Sequence, residues 1–167
     1  MSHEATNTAA LLTSAKRALE QFLDVQVDDD GALTFQHAGV PGAVSAVQLA
    51  EGLVVLSLTC VVAWDLPPEA GSDVGGAGPA GSGSGSGSGG SGGGSGGSGG
   101  GDVAARLALR AGEGLFGTLG AVRTERGYDV TLRYAFPAAG LEPTPLGTLL
   151  MLVISTASQL RSELLGS

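Results

Sequence analysis

A tract built only from glycine and serine runs from Gly81 to Gly101 and divides the chain into two flanks. Residues 71–80 lead into it with a looser Gly/Ala/Pro composition. Glycine loses more backbone freedom on folding than any other residue, and serine adds no apolar area to offset that loss. Such a segment cannot enter a packed core, so we predict a disordered linker at 71–101. Its composition fits a repetitive GC-rich coding sequence and an engineered spacer equally well.

The two flanks, 1–70 and 102–167, are each near the size at which a lone domain buries too little surface to be stable. Apolar residues make up 43% of the chain in spite of the Gly/Ser tract, so the flanks together can supply one core. We therefore predict a single domain over 1–167 that the linker interrupts. A Gly-rich linker of about thirty residues spans on the order of 30 Å, which is enough to join two ends of a small domain.

Charge and cysteine content exclude several classes of protein. The net charge is −8, and residues 1–73 carry the whole excess, with ten acidic side chains against Lys16 and Arg17. Nucleic acids and anionic membranes require a basic face, so we predict neither as a partner. The single cysteine, Cys60, rules out an intramolecular disulfide and a cysteine-based zinc site. Because no secretory signal pattern and no apolar run of about 20 residues is found, we predict a cytoplasmic protein.

The first flank shows one helical pattern followed by three strand patterns. Apolar residues recur at helical spacing over 6–24, which predicts an amphipathic helix. Alternation over 32–37, ended by a turn at 39–42, predicts a first strand, and 44–50 alternates more weakly. The apolar run 53–66 predicts a central strand with one fully buried face. The residues of one parity in that run are Leu56, Leu58, Cys60, Val62 and Trp64.

The second flank predicts a helix, a hairpin and a closing helix. Apolar residues four apart predict a helix over 102–116, and two short apolar segments, 119–124 and 128–136, flank a turn. Thr144 and Pro145 predict the start of a long helix whose apolar stripe reaches Leu164. The predicted fold is α+β, in the order α-β-β-β, linker, α-β-β-α, with an antiparallel sheet packed against helices.

This order of elements resembles that of two bacterial families, the type III secretion chaperones and the YbjN-like proteins. The likeness is carried by Leu115-Phe116-Gly117, by Leu132-Arg133-Tyr134 within the strand at 128–136, and by the leucine-rich helix from Leu146. It implies a homodimeric platform of sheet and helices that holds extended peptide segments of a partner protein and performs no catalysis. The two families have a short connection where this chain has its linker.

No group of residues in the sequence predicts an active site. His37 has no nucleophile or carboxylate partner that the sequence places beside it, and Cys60 lies in the most apolar strand, where burial raises the pKa of a thiol. Two matches to a dinucleotide-binding glycine pattern, at 76–81 and 112–117, do not lie between a strand and the start of a helix. The acidic run 28–30 lacks the spacing of a calcium loop and predicts a solvated turn. We predict no enzymatic activity, no cofactor and no metal site.

The predicted function is therefore non-enzymatic binding of a protein or extended peptide. The residues predicted to contact the partner are Phe35, Trp64, Arg133 and Tyr134, of which Trp64 suits an exposed anchor because it ends a strand beside Asp65.

Two alternatives remain open. One is a small-ligand-sensing or catalytic α+β domain with a pocket between sheet and helices, built on His37, Arg133 or Asp129. The other is a structural subunit of a larger assembly that docks through the stripe from Leu146 to Leu164.

Shortening the tract from Gly81 to Gly101 to a few residues should change stability little. Each halving of a flexible loop alters the closure free energy by only about 0.6 kcal/mol. Chemical denaturation of the shortened and full-length chains measures the difference. Independent folding of 1–70 and 102–167, each expressed alone, would show that the single-domain prediction is wrong.

Overall fold

A six-stranded antiparallel sheet is the frame of the computed structural model, which describes residues 2–67, 107–111 and 116–165. The predicted linker at 71–101 and most of the predicted helix at 102–116 lie outside the described residues. The strands are β1 Val25–Val27, β2 Leu33–His37, β3 Val40–Ala50, β4 Leu53–Leu66, β5 Thr118–Arg123 and β6 Tyr128–Pro137, and their order across the sheet is β1-β2-β3-β4-β6-β5. The described helices are α1 Ser2–Leu19, α2 at 107–111 and α3 Pro143–Leu165. The α+β class predicted from the sequence is confirmed.

The two flanks meet at the centre of the sheet. Strand β4 comes from the first flank and β6 from the second, and they pair from Val55↔Pro137 to Leu66↔Tyr128. The buried residues of both flanks form one hydrophobic cluster, which includes Leu19, Leu58 and Leu132.

Helices α1 and α3 cover one face of the sheet. Both contact the central strands, and they cross each other where Gly147 faces Ala18, because a Cβ at Gly147 would lie only 3.3 Å from the carbonyl oxygen of Ala18. Eight residues of α3 are buried within the chain: Leu146, Gly147, Leu150, Val153, Ile154, Ala157, Leu160 and Leu164. The wide apolar stripe that motivated a docking role for this helix is therefore used for packing on its own sheet.

The first flank contains one strand more than predicted. Strand β1 is only three residues long, too short for its alternation to stand out in the sequence. Helix α1 ends at Leu19, short of the predicted boundary at 24, because the amides of both Phe22 and Leu23 bond to the Leu19 carbonyl and close the helix with a tight turn. Phe22, predicted on the apolar face of this helix, is 57% exposed.

The hairpin between β2 and β3 turns earlier than the predicted turn at 39–42. Ala38 and Gly39 have φ angles of 48° and 77°, the left-handed pair that a two-residue hairpin requires. Residues 40–42 belong to β3, where Val40 is fully buried. Gly42 pairs with Phe35 across the strands, and a Cβ at Gly42 would collide with the Phe35 ring.

An irregularity in β4 changes the face on which Trp64 lies. The register with β6 shifts between Val61 and Ala63, so that Val62 and Ala63 are both buried. Arg161 of α3 donates a hydrogen bond from Nη1 to the carbonyl oxygen of Val62, 2.9 Å away. A second shift follows between Ala63 and Leu66, which is again buried. The buried parity that the pattern of β4 gave to Trp64 is wrong, because the first shift turns this residue to the opposite face. The exposed position expected for it at the strand's end is found, since Trp64 is 61% exposed.

Substituting Gly42 by alanine should lower the free energy of unfolding by about 1–3 kcal/mol, because the Phe35 ring must shift from a packed position. The matched control is Gly120→Ala, whose Cβ would lie 3.3 Å from the Thr131 hydroxyl and 3.9 Å from the Thr131 carbonyl oxygen. This substitution should cost less than about 0.5 kcal/mol. Chemical denaturation gives both values. In the background of Phe35→Leu the Gly42→Ala cost should fall, and an unchanged cost would contradict the proposed collision.

Candidate functional site

The sheet has one helix-covered face and one open face. On the central strands the side chains beneath the helices are mostly buried, whereas those of the other parity are half-buried or exposed. We call the second surface the open face. On the three central strands it includes Pro41, Ala43, Ser45, Val47, Leu53, Val55, Ser57, Thr59, Val61, Asp129, Thr131, Arg133, Ala135 and Pro137. No described helix contacts it.

The open face carries little charge. Along β3, β4 as far as Val61, and β6, its ionisable side chains are Asp129 and Arg133. Arg133 is exposed and makes no ion pair or hydrogen bond with any residue that the structure describes. Most of the remaining side chains on the central strands are small or β-branched, and Leu53 at the start of β4 is 40% exposed, so this part of the face is weakly polar.

Trp64 stands at one end of the open face. Ala63 pairs with Val130 and Leu66 pairs with Tyr128, so Trp64 lies alongside Asp129. Asp129 in turn pairs with Val122 of β5. The exposed side chains of Trp64 and Val122 therefore flank Asp129 in one row across three strands.

A hydrogen-bonded corner holds the end of β4 against the turn between β5 and β6. Asp65 has a left-handed backbone, with φ of 46°, and its amide donates to Oδ1 of Asp129 at 2.9 Å. Its carboxylate accepts a hydrogen bond from the Thr124 hydroxyl at 3.4 Å and lies 3.3 Å from Nε of Arg126. These contacts fix the backbone around Trp64.

A groove lies on the helix-covered side, between α1 and the sheet edge formed by β1, β2 and β3. Its volume is about 450 Å³, and its floor is apolar, formed by Leu12, Val27, Leu33 and Ala46. The rim carries Lys16, which pairs with Glu20 at 2.9 Å, and Asp30 in the turn between β1 and β2.

Strand β1 lies next to this groove, and among the described strands it pairs with β2 alone, which leaves its other edge unpaired. The Asp28 amide donates to the Ala32 carbonyl at 2.9 Å, so it points toward β2. Because backbone groups alternate sides along an antiparallel strand, those of Val27 and Val25 point away from β2. Val27 is also 56% exposed. No strand within residues 2–67, 107–111 and 116–165 pairs with this side of β1, so its backbone can pair with another extended chain.

The four residues predicted to contact a partner do not form one site. Trp64 and Arg133 lie on the open face, whereas Phe35 and Tyr134 lie on the helix-covered face. Phe35 is only 7% exposed and fills the space over Gly42, so in this structure it belongs to the core. Tyr134 is half-buried, and its ring centroid lies 5.2 Å from that of Phe136.

The residues proposed for a ligand-sensing or catalytic pocket are also separated. His37 lies on the helix-covered side of β2, whereas Asp129 and Arg133 lie on the open face. Within residues 2–67, 107–111 and 116–165, no group of three or more His, Cys, Asp or Glu side chains is placed to hold a metal ion. None of the described helices has the length and apolar character needed to cross a membrane.

The groove and the β1 edge are absent from the predicted site. Their residues come from a helix, a turn and three strands, and a three-residue strand gives almost no periodic signal. The acidic residues 28–30 do mark the turn beside the groove, as their composition predicts, and Oδ1 of Asp28 accepts hydrogen bonds from the amides of Asp30 and Ala32.

Burial raises the pKa of the Cys60 thiol to about 12. The unfolded thiol ionises near pH 9, so between about pH 9 and 12 only the unfolded state loses this proton. We therefore expect the contribution of Cys60 to stability to be complete below pH 9 and to decline above it, by about 1.4 kcal/mol per pH unit. Denaturation at several pH values, compared with Cys60→Ala, isolates the effect, and parallel pH profiles would contradict it.

Comparison with known proteins adds no assignment to these surfaces. No protein-family model matches the chain. No curated protein matches it either.

Proposed function

We propose that the protein is a non-enzymatic binding module that holds an extended peptide segment of a partner protein along β1 and in the groove beneath α1. The observation that carries the proposal is the position of an unpaired strand edge directly beside an apolar groove of about 450 Å³. Strand addition uses both features, since the backbone edge supplies affinity and side-chain pockets supply specificity.

The outward backbone groups of Val25 and Val27 pair with the incoming peptide as an added strand. Alternate side chains of that peptide then point toward the helix-covered face, where Leu12 and Leu33 form part of the groove floor. The expected peptide therefore alternates apolar residues with residues that stay in solvent.

Charge at the rim narrows the peptide class further. Asp29 and Asp30 are exposed at the turn, while Lys16 is already paired with Glu20. The chain as a whole carries a net charge of −8. The negative potential of these charges favours a peptide with a basic residue next to its apolar positions and disfavours one with an acidic residue there.

The chaperone-like fold belongs to the same proposal. The chain has an amphipathic helix, a meander, a hairpin and a closing helix. This order resembles that of the type III secretion chaperones and the YbjN-like proteins. The single, buried cysteine suits a reducing compartment, so we place the activity in the cytoplasm.

Binding to an array of extended peptides, followed by titration of a labelled hit by fluorescence anisotropy, tests the proposal. Val27→Lys should weaken binding by at least about 10-fold, because a charge on an edge strand opposes both pairing and apolar contact. The matched control is Val122→Lys, at a valine that is also more than half exposed but lies on the other edge strand, and it should leave binding unchanged.

A reversed result, in which Val122→Lys weakens binding and Val27→Lys does not, would move the site to the β5 edge and overturn the groove assignment. Failure of every apolar and basic peptide to bind the folded protein would overturn the proposed function itself.

A further inference from the structure

The open face is large enough to form a complete protein interface. Three long strands of about 33 Å, flanked by shorter ones at ~4.8 Å spacing, give roughly 700 Å² of projected surface. A standard-size interface takes about 800 Å² from each partner. Side-chain corrugation adds to the projected value, so one copy of this face matches one side of such an interface.

The chemistry of the open face fits contact with another flat sheet. An antiparallel sheet that faces solvent usually alternates apolar and strongly polar residues. Here the middle of the face consists of Ser57, Thr59, Val61 and Thr131, with side chains short enough for two sheets to approach at about 10 Å. The exposed side chain of Arg133 forms no ion pair or hydrogen bond with the described residues.

The two charges on the face are complementary to each other. Asp129 and Arg133 are four residues apart on β6, about 13 Å along the strand, with Thr131 midway between them. Consider a two-fold axis that lies in the plane of contact and passes over Thr131, perpendicular to β6. Rotation about this axis places β6 over an antiparallel copy of itself. The rotation places Arg133 of each copy opposite Asp129 of the other.

From this self-complementarity we infer that the open face binds a second copy of the chain in a face-to-face, two-fold symmetric dimer. Arg133 of each copy reaches the carboxylate of Asp129 in the other. The Trp64 ring stands beside that carboxylate, so it also meets the incoming guanidinium, an arrangement that favours a cation–π contact.

This interface is separate from the peptide groove. The groove opens on the helix-covered side of the sheet, so dimerisation leaves it accessible. Loss of the dimer and loss of peptide binding are therefore distinguishable results, and each can occur without the other.

Light scattering and sedimentation equilibrium of the full chain test the inference. The expected mass is twice that of the 16.3 kDa chain. Arg133→Glu should raise the dissociation constant of the dimer by about 100-fold, because symmetry replaces two attractive pairs with two repulsive ones. Asp129→Asn, which keeps an oxygen acceptor for the Asp65 amide, should raise it by about 10-fold. Leu152→Glu, on an exposed position of α3, is the control and should not change it.

Cross-linking locates the axis independently of these charges. A Thr131→Cys variant should be joined into a covalent dimer by a short bis-maleimide, because the two substituted positions face each other. Ser155→Cys, exposed on α3, should not be joined under the same conditions. The wild-type thiol does not interfere, because Cys60 is fully buried.

Three results would overturn the inference. They are a monomeric mass at concentrations up to the millimolar range, a dimer whose dissociation constant Arg133→Glu does not change, and equal cross-linking of the Thr131→Cys and Ser155→Cys variants. Peptide binding by a protein that stays monomeric would leave the groove proposal standing and remove this one.

Discussion

The pairing of β4 with β6 is the interaction on which the rest of the structure depends. It joins the last strand of the first flank to the second strand of the hairpin in the second flank, across the residues 68–106. Without β6, the strand β4 would present a long, apolar and unpaired edge, which is the feature that leads to aggregation. Because these strands are distant in sequence, loop-closure entropy must be overcome before their contacts contribute, so the sheet centre cannot form from local structure alone.

The register between β4 and β6 also determines which side chains lie on the helix-covered face and which lie on the open face. The shift between Val61 and Ala63 turns Trp64 outward, and two sets of contacts hold it in place. Arg161 satisfies the carbonyl of Val62 from the helix side, while Asp129 accepts the amide of Asp65 from the neighbouring strand. The irregular stretch between Val61 and Leu66, which is bonded from both sides, therefore places a residue of apparently buried parity on the exposed face.

Apolar periodicity in the sequence predicts those helices and strands that are specified by their own apolar face. The alternation in β4 and β6 and the long stripe of α3 are each visible in the sequence, because one apolar face per element is enough to specify them. The bulge in β4 receives a hydrogen bond from Arg161, about a hundred residues away, and the three residues of β1 pair with β2, so neither feature is marked by a local pattern. The candidate site was predicted poorly for the same reason, since the groove is created by the relative placement of α1 and β1, and Phe35 is drawn into the core by the space above Gly42.

The two faces of the sheet differ in a way that suits two different kinds of contact. The helix-covered face has bulky side chains, and where α1 leaves the edge strands β1 and β2 it opens a groove that accepts individual side chains. The open face has mainly short side chains on its central strands, and a recess of about 470 Å³ lies toward its β1–β2 edge, where Gln26, Thr34 and Gln36 line it. A surface of that shape gains most from a partner equally flat and equally broad, and the spacing of Asp129 and Arg133 along β6 makes an inverted copy of the same sheet such a partner.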